Sequence, residues 1–100
     1  MAALEKFAME NVNHPGRVTN VDADKYRAVR DAVLAVLPAT APGLTLAELK
    51  EAIRPLVPAA VFPGGFKAGW WMMGIQLDLR ARGQVIAEDS KPMRLHLPSS

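Results

Sequence analysis

Apolar positions along the chain change period several times, and each change marks an element. Between Asp22 and Leu37, Tyr26, Val29, Val33 and Val36–Leu37 recur at helical spacing. Asp22 is placed as N-cap, Asp24 adds negative charge to the first turn, and Pro38 stops the helix. A second stripe, Leu46, Leu49 and Ile53, follows Thr45-Leu46-Ala47-Glu48, which has the form of a capping box. Pro55 limits this helix to about Arg54. The third and longest run, Lys67–Arg82, holds both tryptophans and ends at Gly83, a natural left-handed C′ residue. Gln84–Glu88 then reads as a strand. Met93–Leu97 alternates at period two, with Met93, Leu95 and Leu97 inward and Arg94 and His96 outward. Asp89–Pro92 is the turn between them.

The N-terminal stretch is less regular. Leu4, Phe7 and Ala8 in Met1–Met9 suit one or two helical turns that dock, or a loose end. Asn11–Gly16 is a loop, and Arg17–Val21 is β-prone, as an edge strand or an extended strap.

On a helical wheel, the third helix is apolar on two sides. Trp71, Met72, Ile75 and Leu79 form one face; Trp70, Met73, Leu77 and Ala81 form another. Gln76 and Arg80 on one flank, and Asp78 and Arg82 on the other, interrupt them. Two apolar faces imply two covers. The first face meets the chain's own core. Trp70, Met73 and Leu77 are expected under the N-terminal segment (Phe7, Val12, Val18) or at a homodimer or partner interface.

Three helices followed by a two-stranded antiparallel hairpin is the order of a winged helix. The fold class expected is therefore α+β, winged-helix-like, over residues 21–98, with residues 1–20 as an extension on or near the bundle. Leu44-Thr45 would supply the short strand such domains often place before the second helix. A small α+β domain packing the same elements differently is the alternative. The run ENVNHPGR at Glu10–Arg17, VDADKY at Val21–Tyr26, and FPGGFKAGWW through LDLRARG resemble a family of small bacterial proteins of unknown function. The resemblance spans nearly the whole chain from about Glu10. It implies a winged-helix-like domain and a bacterial cytoplasmic setting, and no catalytic residue.

Composition narrows the functional classes. One hundred residues, 50% apolar and 22% charged, suit one domain with its own core. There is no cysteine, hence no disulfide and no thiolate metal site. No apolar run approaches a membrane span, and Glu5, Lys6 and Glu10 break any secretory signal. His14 and His96 lie far apart without spaced partners, so no metal site is expected. Ser90, Ser99 and Ser100 lack the surroundings of a nucleophile, and the paired carboxylates have sufficient roles in caps, faces and turns. No enzyme activity and no cofactor are expected. Phe62–Lys67 fits a tight inter-helix turn better than a phosphate-binding loop.

Net charge is only +2, and the basic residues are scattered. Two functions remain. One is a non-catalytic packing or protein-interaction module using Trp70, Met73 and Leu77. The other is a DNA-binding regulator using Lys67, Gln76 and Arg80 of the third helix with Lys91 and Arg94 of the wing. The apolar run Trp70–Met73 sits where base contacts would be needed, which favours the module.

Overall fold

A computed structural model describes residues 5–65 and 67–98. It is a mixed α+β fold with three helices and two small antiparallel sheets. The chain opens with a hairpin, β1 (Lys6–Met9) and β2 (Thr19–Asp22). Helix α1 (Ala23–Val36) is followed by β3 (Leu44–Thr45) and α2 (Leu46–Ile53). A 3-10 turn at Pro63–Gly65 leads to α3 (Ala68–Ala81), then to β4 (Ile86–Glu88) and β5 (Arg94–His96). In the second sheet β5 is central, flanked by β3 and β4.

Local chemistry explains most of these boundaries. The Asp22 carboxylate accepts from the amides of Asp24 and Lys25, starting α1. Thr45 and Glu48 complete the capping box reciprocally, and hydrogen bonding from the Thr45 amide and then the Thr45 hydroxyl holds Glu48's carboxyl below the usual range. At the end of α3 the Gly83 amide donates to the Arg80 carbonyl and the Gln84 amide to the Leu79 carbonyl. This Schellman closure requires positive φ at C′, and Gly83 sits at φ 75°. It consumes Gln84 and Val85, so the strand begins at Ile86 rather than Gln84.

The core is built where the stripes converge. Tyr26, Val29 and Val33 of α1, Leu49 and Ile53 of α2, and Met72, Ile75 and Leu79 of α3 pack with Leu95 of β5. Each such side chain contributes about 1.5–3 kcal/mol by leaving water.

Three expectations are corrected. The N-terminal residues described form a strand, not helical turns; Met1–Leu4 lie outside the described residues. Burial alternates along Lys6–Met9, so Phe7 and Met9 point inward at period two, and the element order begins with two strands. His96 does not face outward but is buried, its ring between the Leu97 carbonyl (Nδ1, 2.8 Å) and the Glu88 carboxylate (Nε2, 2.9 Å). Most consequential are the polar positions of α3. Gln76 is 3% exposed and Asp78 fully buried.

Asp78 binds the N-terminal hairpin to the bundle. Its Oδ1 accepts from the Glu10 amide at 2.7 Å and from Arg82 Nε at 2.9 Å, and its Oδ2 accepts from the Tyr26 hydroxyl. Burial, reinforced by that hydrogen bond and by the negative charge, pushes the Tyr26 phenol up, so it remains the donor. Arg82 reaches onward to the Ala8 carbonyl at 2.8 Å and to Glu10 at 3.2 Å, and lies over the Phe7 ring. Phe7 stacks on Tyr26 at 3.8 Å between centroids. The Val12 amide takes the Leu77 carbonyl at 3.3 Å.

Replacing Asp78 by alanine leaves the Tyr26 hydroxyl and Arg82 without their partner. Urea unfolding is expected to lose on the order of 3 kcal/mol for Asp78→Ala and about 1 kcal/mol for Tyr26→Phe. The double variant should fall short of the sum, because the two share one bond. A change within about 0.5 kcal/mol for Asp78→Ala, the range of an ordinary surface substitution, would contradict this assignment.

Glu88 raises the His96 pKa above its ordinary 6.5, with the Leu97 carbonyl adding to the effect. A raised folded value gives stability that is complete below the unfolded pKa and is lost as pH rises through the folded one. NMR titration should therefore place His96 above 6.5, and amide protection in Ile86–Glu88 should fall as pH rises through that raised midpoint. Glu88→Gln should return the titration toward 6.5. A His96 that titrates at or below 6.5 in the unaltered chain would be the contrary result.

Candidate interaction surface on the third helix

The hairpin covers only part of the second face of α3. Leu77 is half-buried where the Val12 amide meets its carbonyl. Met73 is 45% exposed and Trp70 is 75% exposed. Of the two covers expected, the N-terminal segment reaches the C-terminal end of the face and leaves Trp70 and Met73 at the N-terminal end uncovered by the chain itself. An open groove of ≈ 810 Å³ runs along this uncovered part. Its walls include Met9 and Val21 of the hairpin, Trp70, Met73 and Leu77 of α3, and Met93 just ahead of β5.

Two glycines of α3 shape this face by letting neighbours come close. A side chain at Gly69 would collide with the aliphatic stem of Lys50, which crosses α3 there from α2. A methyl group at Gly74 would lie 3.3 Å from the terminal carbon of Met9. The first glycine therefore brings a cation beside Trp70, and the second lets the hairpin form the groove wall.

Trp70 and Trp71 meet edge to face at 6.2 Å between centroids. Trp71 turns inward against Phe62, also edge to face. Lys25 Nζ lies 5.8 Å from the Trp71 ring centroid, within cation–π range. Lys67 precedes α3 with φ 68°, a left-handed conformation that costs a non-glycine residue about 1 kcal/mol. In that conformation it lines the surface around Trp70 and Trp71 together with Lys25. The Lys67 side chain makes no capping hydrogen bond to the N-terminus of α3.

The residues considered for nucleic-acid contact do not act as one set. Lys67 and Arg80 reach the α3 face. Gln76 lines the groove but is almost wholly buried, its amide donating to the Met73 carbonyl at 3.0 Å and its oxygen accepting from Arg80 at 3.3 Å. This corrects the exposed position inferred for it. Arg94 is held at the Gly43 carbonyl (3.0 Å) and near Glu48 (3.4 Å). Lys91 is exposed in the β4–β5 turn, outside the groove lining. Lys25, Met9 and Met93, by contrast, belong to this surface although nothing in their local pattern marks them.

No group of three or more His, Cys, Asp or Glu side chains is placed to hold a metal among the described residues. No described helix is long and apolar enough to cross a membrane.

Comparison with curated proteins and with solved structures gave no match. The model of a family of unknown function, DUF6958, matches residues 6–95, which take in the hairpin, all three helices and most of the second sheet. On that match, the chain belongs to the DUF6958 family.

Proposed function

We propose that this chain is a non-catalytic, winged-helix-like module that binds a segment of another protein through the exposed face of α3. The observation that carries the reading is Trp70, 75% exposed at the head of an apolar groove. A tryptophan left in water forgoes about 2–3 kcal/mol of burial, and contiguous apolar surface of this kind marks interaction sites. The winged-helix-like part of the reading is supported by the order α1, β3, α2, α3, β4, β5 and by the pairing of β3 with the hairpin strand β5. A cytoplasmic setting belongs to the same reading and accords with a chain free of cysteine.

DNA binding is the second reading, kept by the position of Lys67 and Arg80 on α3 and of Lys91 in the hairpin turn. Base readout needs polar side chains free to bond base edges. Here Gln76 is satisfied internally, and Trp70 and Met73 occupy the exposed helix surface. These features favour protein over DNA.

Parallel titrations separate the two. The Trp70 indole N–H and the backbone amides of α3, followed by NMR in the intact chain, should shift with an amphipathic peptide of about 15 residues presenting leucines at i, i+3, i+4 and i+7, and the amides report binding in variants that lack the indole. Trp70→Ala should weaken that binding roughly tenfold while stability stays within about 0.5 kcal/mol. Silence toward the peptide, with duplex DNA bound at low salt and released steeply as salt rises, would replace this reading by the second.

A further inference from the structure

We infer that the partner segment taken by the α3 groove is acidic: an amphipathic stretch whose large apolar side chains enter between Trp70 and Leu77 and whose carboxylates meet Lys67, Lys50 and Arg80. The inference rests on the protein-binding reading above and adds the charge of the partner.

The near-neutral total hides a segregation of charge. Among the described residues, the ion pairs engage Arg27, Arg30, Arg54, Arg82, Arg94 and His96 with seven carboxylates and Asp78. Of the other two acids, Asp22 caps α1 and Asp89 lies beside the β4–β5 turn. Seven cations have no carboxylate partner among the described residues; Lys6, Arg17 and Lys91 lie elsewhere, and the other four, Lys25, Lys50, Lys67 and Arg80, line the surface around Trp70 and the groove. Among the described residues, no carboxylate lines the groove or the depressions bordering Trp70 and Trp71. An apolar groove with Arg80 in its lining and three lysines beside Trp70 and Trp71 at its head selects against basic partners and attracts acidic ones.

The character of the floor narrows the class further. Met9, Met73 and Met93 supply flexible thioethers beside Trp70. Such surfaces adapt to varied aliphatic and aromatic anchors, whereas phosphate recognition would need donors where the methionines stand. A second copy of this chain seated face to face would bring the same cations together, because a twofold interface pairs a patch with itself. Like charges placed so oppose the contact.

Charge-reversed probes test the inference. The leucine peptide described above is made once with glutamates and once with lysines on its polar face, and each is titrated against the intact chain at low and at physiological salt. The glutamate peptide should bind at least about tenfold more tightly, with the difference shrinking as salt rises. In the double variant Lys67→Glu with Arg80→Glu the preference should invert, which a mere loss of structure would not produce. Equal binding of both peptides, or tighter binding of the lysine peptide, overturns the acidic assignment while the protein-binding reading stands. Failure of both peptides, with duplex DNA or phosphatidylserine vesicles shifting the Trp70 signal instead, overturns both. A concentration-dependent dimer in sedimentation that Trp70→Ala abolishes makes the occupant a second copy and likewise overturns the inference.

Discussion

A carboxylate with no contact with solvent holds this fold in register. Asp78 sits on α3, yet its bonds run to the backbone of the N-terminal hairpin, to Tyr26 on α1 and to Arg82 one turn along α3. Moving a charge out of water costs several kcal/mol unless its lone pairs are satisfied. Here the two oxygens accept three bonds, and the arrangement is possible only when Glu10, Tyr26 and Arg82 are all in place. The cost of burial therefore acts as a selector, since a hairpin docked elsewhere would leave Asp78 uncompensated. Phe7 stacked on Tyr26 and Arg82 over Phe7 add packing at the same point.

Fixing the hairpin there has a second effect. With Glu10 anchored at Asp78 and Val12 at the Leu77 carbonyl, the hairpin shields the C-terminal half of α3. It stops short of the N-terminal half. Polarity along the helix is consequently inverted. Gln76 and Asp78 are inside, while Trp70 and Met73 are outside. The interior polar pair is satisfied and the exterior apolar pair is not, and that unmet demand for burial is the basis of the proposed interaction surface. The left-handed Lys67 and the crossing of Lys50 over Gly69 set cations around that same end.

Those elements whose signals are local were legible in the sequence. Asp22, the Thr45–Glu48 box and Gly83 act within a few residues of themselves, and the structure uses each as its chemistry suggests. The stripes of α1 and α2 and the inward Leu95 follow from period alone. What escaped depends on partners distant in the chain. Lys6–Met9 is too short for its period to separate strand from helix, and its pairing with Thr19–Asp22 decides the matter. A helical wheel assigns Gln76 and Asp78 to water because it cannot see Tyr26 or the Glu10 amide approaching. It asks for a cover over Trp70 without saying whether the chain itself supplies one, because it counts apolarity and not available cover. Within the candidate surface, Trp70, Met73, Leu77, Lys67 and Arg80 were readable on one element. Lys25, Met9 and Met93 reach it from other elements. Glycine at 69 and 74, inside an otherwise regular helix, was the trace of those close approaches.

Ionic quenching of tryptophan fluorescence in Trp71→Phe, where Trp70 is the sole tryptophan, tests the central claim most directly. The claim is that α3 leaves an exposed indole beside Lys25, Lys50 and Lys67, which have no carboxylate partner among the described residues. Iodide, drawn toward Lys50 and Lys67, should quench Trp70 efficiently and well beyond caesium, and added salt should narrow the gap. Emission inaccessible to both ions, or quenched more by caesium, would contradict the account.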